Sequence, residues 1–94
     1  MRVKNINNTS DKKCKCGSWM NHWMNECNKR TAVCSAYGCS QKDNLHGSHV
    51  QKATSDFTWY IIPLCPKHNK SVGHLEVKKA TNFALASIYQ TCGR

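Results

Sequence analysis

Two short pairs of metal-binding side chains, far apart in the sequence, constrain this chain more than any other feature. Cys34 and Cys39 bracket Ser-Ala-Tyr-Gly, Cys65 and His68 bracket Pro-Lys, and 25 residues separate the pairs. The chain has 94 residues, a length that suits one domain and a size class in which metals or disulfides often supplement a small core. Its seven cysteines are accompanied by five histidines. An odd number of cysteines argues against a complete disulfide framework. The N-terminus carries no apolar run of the kind a secretory leader has, and no stretch reads as a membrane span. The expectation is a cytoplasmic protein with no membrane partner, in which thiols stay reduced and are free to bind metal.

Residues 1–13 are polar, with Val3 and Ile6 as their bulky apolar groups, and read as a disordered arm. Residues 14–94 then form one domain. Trp19, Trp23 and Cys27 recur every four residues, as do Met20 and Met24, which predicts an amphipathic N-terminal helix capped by Ser18. Leu45 to Thr54 and Phe57 to Ile62 read as strands of a hairpin, turning at Thr54-Ser-Asp56 and stopped by Pro63. Cys65 opens a short helix with Pro66 in its first turn. Leu75 to Lys78 and Phe83 to Tyr89 are further strand candidates at the C-terminal end.

Zinc takes four borderline-soft ligands in a tetrahedron. A tight turn holding Cys34 and Cys39, with Gly38 to permit it, supplies two. A cysteine and a histidine three apart at a helix start supply the other two from one face, and the helix N-terminus favours a thiolate. The order of knuckle, β-hairpin and short helix is that of a treble clef, so the predicted fold class is small α+β, zinc-stabilised. Cys14, Cys16, His22 and Cys92 form a candidate second zinc set that would clip the two ends of the domain together. Cys27 lies on the apolar helix face and reads equally as a packed thiol. His46 and His74 read as surface histidines. The ligand chemistry favours zinc, one or two ions, over iron.

The segments Gly47-Ser48-His49-Val50 and Trp59 to Asn69 resemble the HNH (His-Me finger) nucleases, specifically those whose ββα unit is held by a structural zinc; the likeness covers roughly Cys34 to Lys70. Cys16-Gly17-Ser18-Trp19 also resembles the opening of a group of small bacterial zinc proteins. The nuclease resemblance implies His49 as general base and Asn69 as a catalytic-site residue, with magnesium or manganese as the catalytic ion. Ser48 stands where an aspartate would help hold that ion, and Tyr60 where an asparagine would brace the base. Serine is a poor ligand for a hard cation, so the resemblance implies a scaffold that has lost most of its chemistry. His49 reads equally as a hairpin histidine bonded to backbone.

The formal net charge is +9, which suits a polyanionic partner. The leading expectation is a nucleic-acid-binding zinc module with basic residues clustered around Lys52, Lys67 and Lys70. The alternatives are an HNH-type endonuclease and a protein-interaction module, the latter favoured if Trp19 or Trp23 is exposed. Trp59 and Tyr60 alternate across a strand, so one is expected in the core and the other exposed.

Overall fold

The computed structural model of the protein describes residues 1–6, 18–53, 58–70 and 73–86. Among these, a five-stranded antiparallel sheet carries two helices, an α+β arrangement. The elements are β1 (Arg2–Asn5), α1 (Trp19–Cys27), β2 (His46–Lys52), β3 (Trp59–Leu64), α2 (Pro66–Asn69), β4 (His74–Glu76) and β5 (Ala84–Leu85). The strand order is β4-β1-β2-β3-β5. None of the helices described is long and apolar enough to cross a membrane.

The hairpin of β2 and β3 is the centre of the sheet. Its register sets His46 opposite Leu64, Ser48 opposite Ile62 and His49 opposite Ile61. Strand side chains alternate between faces, and here both faces are covered. One face buries Val3, Val50, Ile62 and Leu64 with Cys34, Ala36, Cys65 and Val77. The opposite face buries Ile61 and Ala84 beneath Trp19 and Trp23 of α1.

Helix α1 forms as the four-residue spacing predicts. Ser18 Oγ accepts the Asn21 amide at 3.1 Å, and Asn28 closes the helix in the left-handed region at φ 55°, a conformation asparagine tolerates. The helix is not the first element, because β1 precedes it. It seats directly on Gly47: a Cβ at that position would fall on the backbone of Trp19 and Met20. Trp23 Nε1 donates to the Asn82 carbonyl at 2.9 Å, so the indole is both packed and satisfied. Trp19 and Trp23 are buried, and the exposed tryptophan surface that an interaction module would offer is not formed by them.

Two sequence expectations are corrected. Residues 2–5 are not part of a disordered arm. They form β1, inserted between β2 and β4 with Val3 opposite Lys52 and Leu75. Val3 is fully buried, and the Asn5 side-chain amide donates to the Asn69 carbonyl at 2.8 Å. One apolar side chain sufficed because its neighbours supply the rest of the core. Residues 7–13 lie outside the described residues. Pro63 does not stop β3, which runs on to Leu64. In an antiparallel strand the N–H and C=O of one residue point to the same side. The Pro63 carbonyl accepts the Ser35 amide at 2.8 Å, away from β2, so the missing N–H breaks no bond of the hairpin. The expected C-terminal strands survive as β4, extended by an Ala36–Val77 bridge, and as β5; residues 87–94 lie outside the described residues.

Two substitutions test this arrangement. Val3→Lys is expected to destabilise the protein by at least about 2 kcal/mol, the range for burying an unpaired charge, where a disordered arm would leave the urea midpoint unchanged. Gly47→Ala is expected to cost about 1–3 kcal/mol by overpacking, with α1 amides shifting in the NMR spectrum.

Candidate metal centre

The knuckle is built by backbone before any ligand is considered. The Cys39 amide donates to the Ala36 carbonyl at 3.0 Å, closing the turn, and Gly38 at φ 80° occupies a conformation side chains rarely adopt. The edge strand β4 pins it from outside, since Tyr37 N donates to Glu76 O at 2.9 Å and Lys78 N to Ser35 O at 3.0 Å. The Lys78 ammonium donates to the carbonyls of Cys34 and Cys39 at 2.9 and 2.5 Å. One cation thus holds both ends of the turn.

Helix α2 is a single turn without a side-chain cap. Cys65 is its N-cap residue, with Pro66 following where no amide is needed. The helix is held to the sheet by Asn69, whose Oδ1 accepts the Ser48 hydroxyl at 2.5 Å and whose carbonyl accepts Asn5.

Knuckle and helix converge. The donor atoms of Cys34, Cys39, Cys65 and His68 all lie within 4.8 Å of one another. His68 Nδ1 is 3.6 Å from Cys34 Sγ and 3.1 Å from Cys65 Sγ. A tetrahedral zinc with ordinary Zn–S and Zn–N bonds separates sulfur from nitrogen by about 3.5 Å. The four groups therefore surround a space of metal size, with a donor set that suits zinc. The Cys65 amide also donates to Cys34 Sγ at 3.3 Å, a bond that favours the thiolate form of the sulfur.

The three thiols differ in acidity. Burial pushes Cys34 up to about 11, against the pull of the Cys65 and Ala36 amides. The Gln41 amide holds Cys39 below the ordinary thiol value despite some desolvation. Burial raises Cys65, but the His68 amide and imidazole more than offset it and its thiol lies below the ordinary value. Outside the cluster, burial raises Cys27, helped by the Glu26 carboxylate and opposed by Lys29. Cys27 packs against the tryptophan cluster, in line with its reading as an apolar thiol.

The other sequence-predicted residues are distributed as follows. His22 is buried on α1, with Nε2 2.6 Å from the Leu85 carbonyl and its ring edge-on to Trp19 at 5.1 Å. Its proposed co-ligands Cys14, Cys16 and Cys92 lie outside the described residues. His49 is buried, its ring edge-on to Trp19 at 4.5 Å and to Trp59 at 5.6 Å. Ser48 meets Asn69 on the metal face, so by strand alternation His49 belongs to the other face. The structure does not bring the side chains of His49 and Asn69 together. His46 and His74 are exposed, as expected. Trp59 and Tyr60 do not divide into core and surface. Both are half-buried, with Tyr60 edge-on to Phe83 at 5.5 Å. Two residues of the site, Lys78 and Asn5, carried no signal in the sequence. One clamps the knuckle and the other braces α2, and both act through backbone carbonyls that any residue could supply.

Compared with protein families, with curated proteins and with solved structures, the chain matches none.

At neutral pH the Cys34 thiol of the metal-free protein holds its proton, which a metal must displace. Metal affinity is therefore expected to rise with pH, by about tenfold per unit for each proton released. Competition with a chromophoric chelator at pH 7 and 8 measures this. Cys65→Ala removes a donor shared with the helix start and is expected to abolish binding at this centre and lower thermal stability.

Proposed function

We propose that the protein is a zinc-stabilised treble-clef module in which Cys34, Cys39, Cys65 and His68 hold one structural zinc, and that its basic surface binds nucleic acid. The observation that carries the metal reading is the convergence of four donors from two elements distant in sequence. A closed set of three thiolates and one imidazole leaves no open coordination position, which is the pattern of structural and not catalytic zinc. The order of knuckle, hairpin and helix along the chain supports the treble-clef reading.

The nucleic-acid reading rests on charge and its placement. The formal net charge is +9. Lys67 and Lys70 are exposed on and just after α2, on the face that carries the metal centre. Lys52 lies on the same face, its ammonium 4.8 Å from the ring centres of both Tyr60 and Phe83. A phosphate backbone tracking past α2 would meet these three cations, and phosphate contacts are sequence-independent. Cleavage is not part of this reading, because His49 faces the tryptophans and Ser48 and Asn69 satisfy each other.

Native mass spectrometry is expected to find zinc at the Cys34 centre, lost in Cys65→Ala; a wild-type protein that refolds without metal and binds none would overturn the zinc reading. Fluorescence anisotropy with duplex DNA is expected to show binding that weakens steeply with salt. The double variant Lys67→Gln/Lys70→Gln should make the log–log salt slope shallower by about 2, since each neutralised phosphate contributes about 0.9. No binding at low salt would remove the nucleic-acid reading and leave the metal reading intact.

A further inference from the structure

Lys78 supplies no metal donor, yet its side chain ends on the two knuckle residues that do. Its ammonium donates to the Cys34 carbonyl at 2.9 Å and to the Cys39 carbonyl at 2.5 Å. A single nitrogen that holds both carbonyls fixes how far apart the two cysteine backbones lie, and so where their sulfurs stand. The bond from the Cys39 amide to the Ala36 carbonyl closes the turn between them but does not reach Cys34.

The lysine is itself held at its base. Its amide donates to the Ser35 carbonyl at 3.0 Å, and its carbonyl accepts the Thr81 amide at 3.1 Å. Val77 before it is buried and bridged to Ala36. A surface lysine ordinarily lays its stem on the protein and keeps its ammonium in water. Lys78 is half-buried and gives its ammonium to two carbonyls. Charge adds to position. Three thiolates, a neutral imidazole and a doubly charged ion leave a loaded centre with one net negative charge, and Lys78 brings a positive one to the same loop. The Cys39 thiol responds to it: the Gln41 amide is the chief influence lowering it, and the Lys78 ammonium lowers it further.

We propose that Lys78 is the positioning residue of the metal centre: by bonding both ends of the knuckle from the edge of the sheet, it sets the affinity of the Cys34, Cys39, Cys65 and His68 cluster for zinc. The inference rests on the zinc reading and extends it to a residue that is not a ligand. Residues that orient metal ligands from outside are worth about 10–100-fold in affinity when removed. Lys79, next in the chain and exposed, supplies the internal comparison, since it carries a similar charge on the same turn.

The test is zinc affinity of the full chain by competition with a chromophoric chelator, with the amide spectrum of each zinc-loaded protein recorded beside it. Lys78→Met is expected to weaken zinc binding at least about tenfold, with the amides of β1, β2 and β3 unshifted in the loaded form. Lys78→Arg, whose guanidinium can donate to both carbonyls, is expected to recover most of that loss. Lys79→Met is expected to bind zinc as the wild type does. Zinc affinity unchanged in Lys78→Met would overturn the proposal. So would an arginine variant as weak as the methionine one, or a loss of affinity that comes with shifts throughout the sheet, the mark of a merely structural clamp. If Lys78→Met does not fold, Lys78→Gln, a shorter and neutral donor, replaces it under the same expectation and the same overturning results. A wild-type protein that binds no zinc would remove the zinc reading and this proposal together, a result distinct from a wild type that binds and a Lys78 variant that binds equally well.

Discussion

The meeting of Cys34 and Cys39 with Cys65 and His68 is the interaction on which the rest of this structure depends. Helix α2 is one turn long and uncapped, far below the length at which a helix holds itself together in water. The knuckle is a turn with an exposed tyrosine at its tip. Neither has a hydrophobic core of its own beyond the shared cluster under the sheet. Four donors from these two loops converge on a metal-sized space at the end of a hairpin.

That convergence has a backbone counterpart. Asn69 is bonded by Ser48 from β2 and by Asn5 from β1, and the knuckle by Lys78 and the edge of β4. Each loop that contributes ligands is therefore tied to the sheet by a second, polar contact that does not involve the ligands. Preorganisation of this kind keeps the donors near their binding positions and lowers the entropic cost of taking up the ion. The N-terminal strand belongs to this framework, since Asn5 reaches the same helix that carries His68.

The two faces of the hairpin have separate roles. The face with Ser48, Val50 and Ile62 supports the metal centre. The face with Gly47, His49 and Ile61 receives α1, and Gly47 lets the helix backbone come down onto the strand. His49 consequently lies edge-on to Trp19 and Trp59, on the face opposite the Ser48–Asn69 contact. Ser48 and His49 are neighbours along the chain and point to opposite sides of the sheet.

The sequence by itself determined the cluster of four candidate metal donors, helix α1, the central hairpin and the start of α2. Each is a local matter: two ligand pairs at fixed spacing, a four-residue apolar period behind a serine cap, two β-rich runs, and a cysteine before a proline. The tertiary structure alone decided the rest. Residues 2–5 look like an arm because a strand whose neighbours lie about fifty and seventy residues away needs little apolar character of its own. Pro63 looks like a stop until the side on which its amide would lie is known. Lys78 looks like any surface lysine until two carbonyls of the knuckle come within reach. In all three cases the deciding partner is distant in sequence, and neither period nor propensity carries information about it.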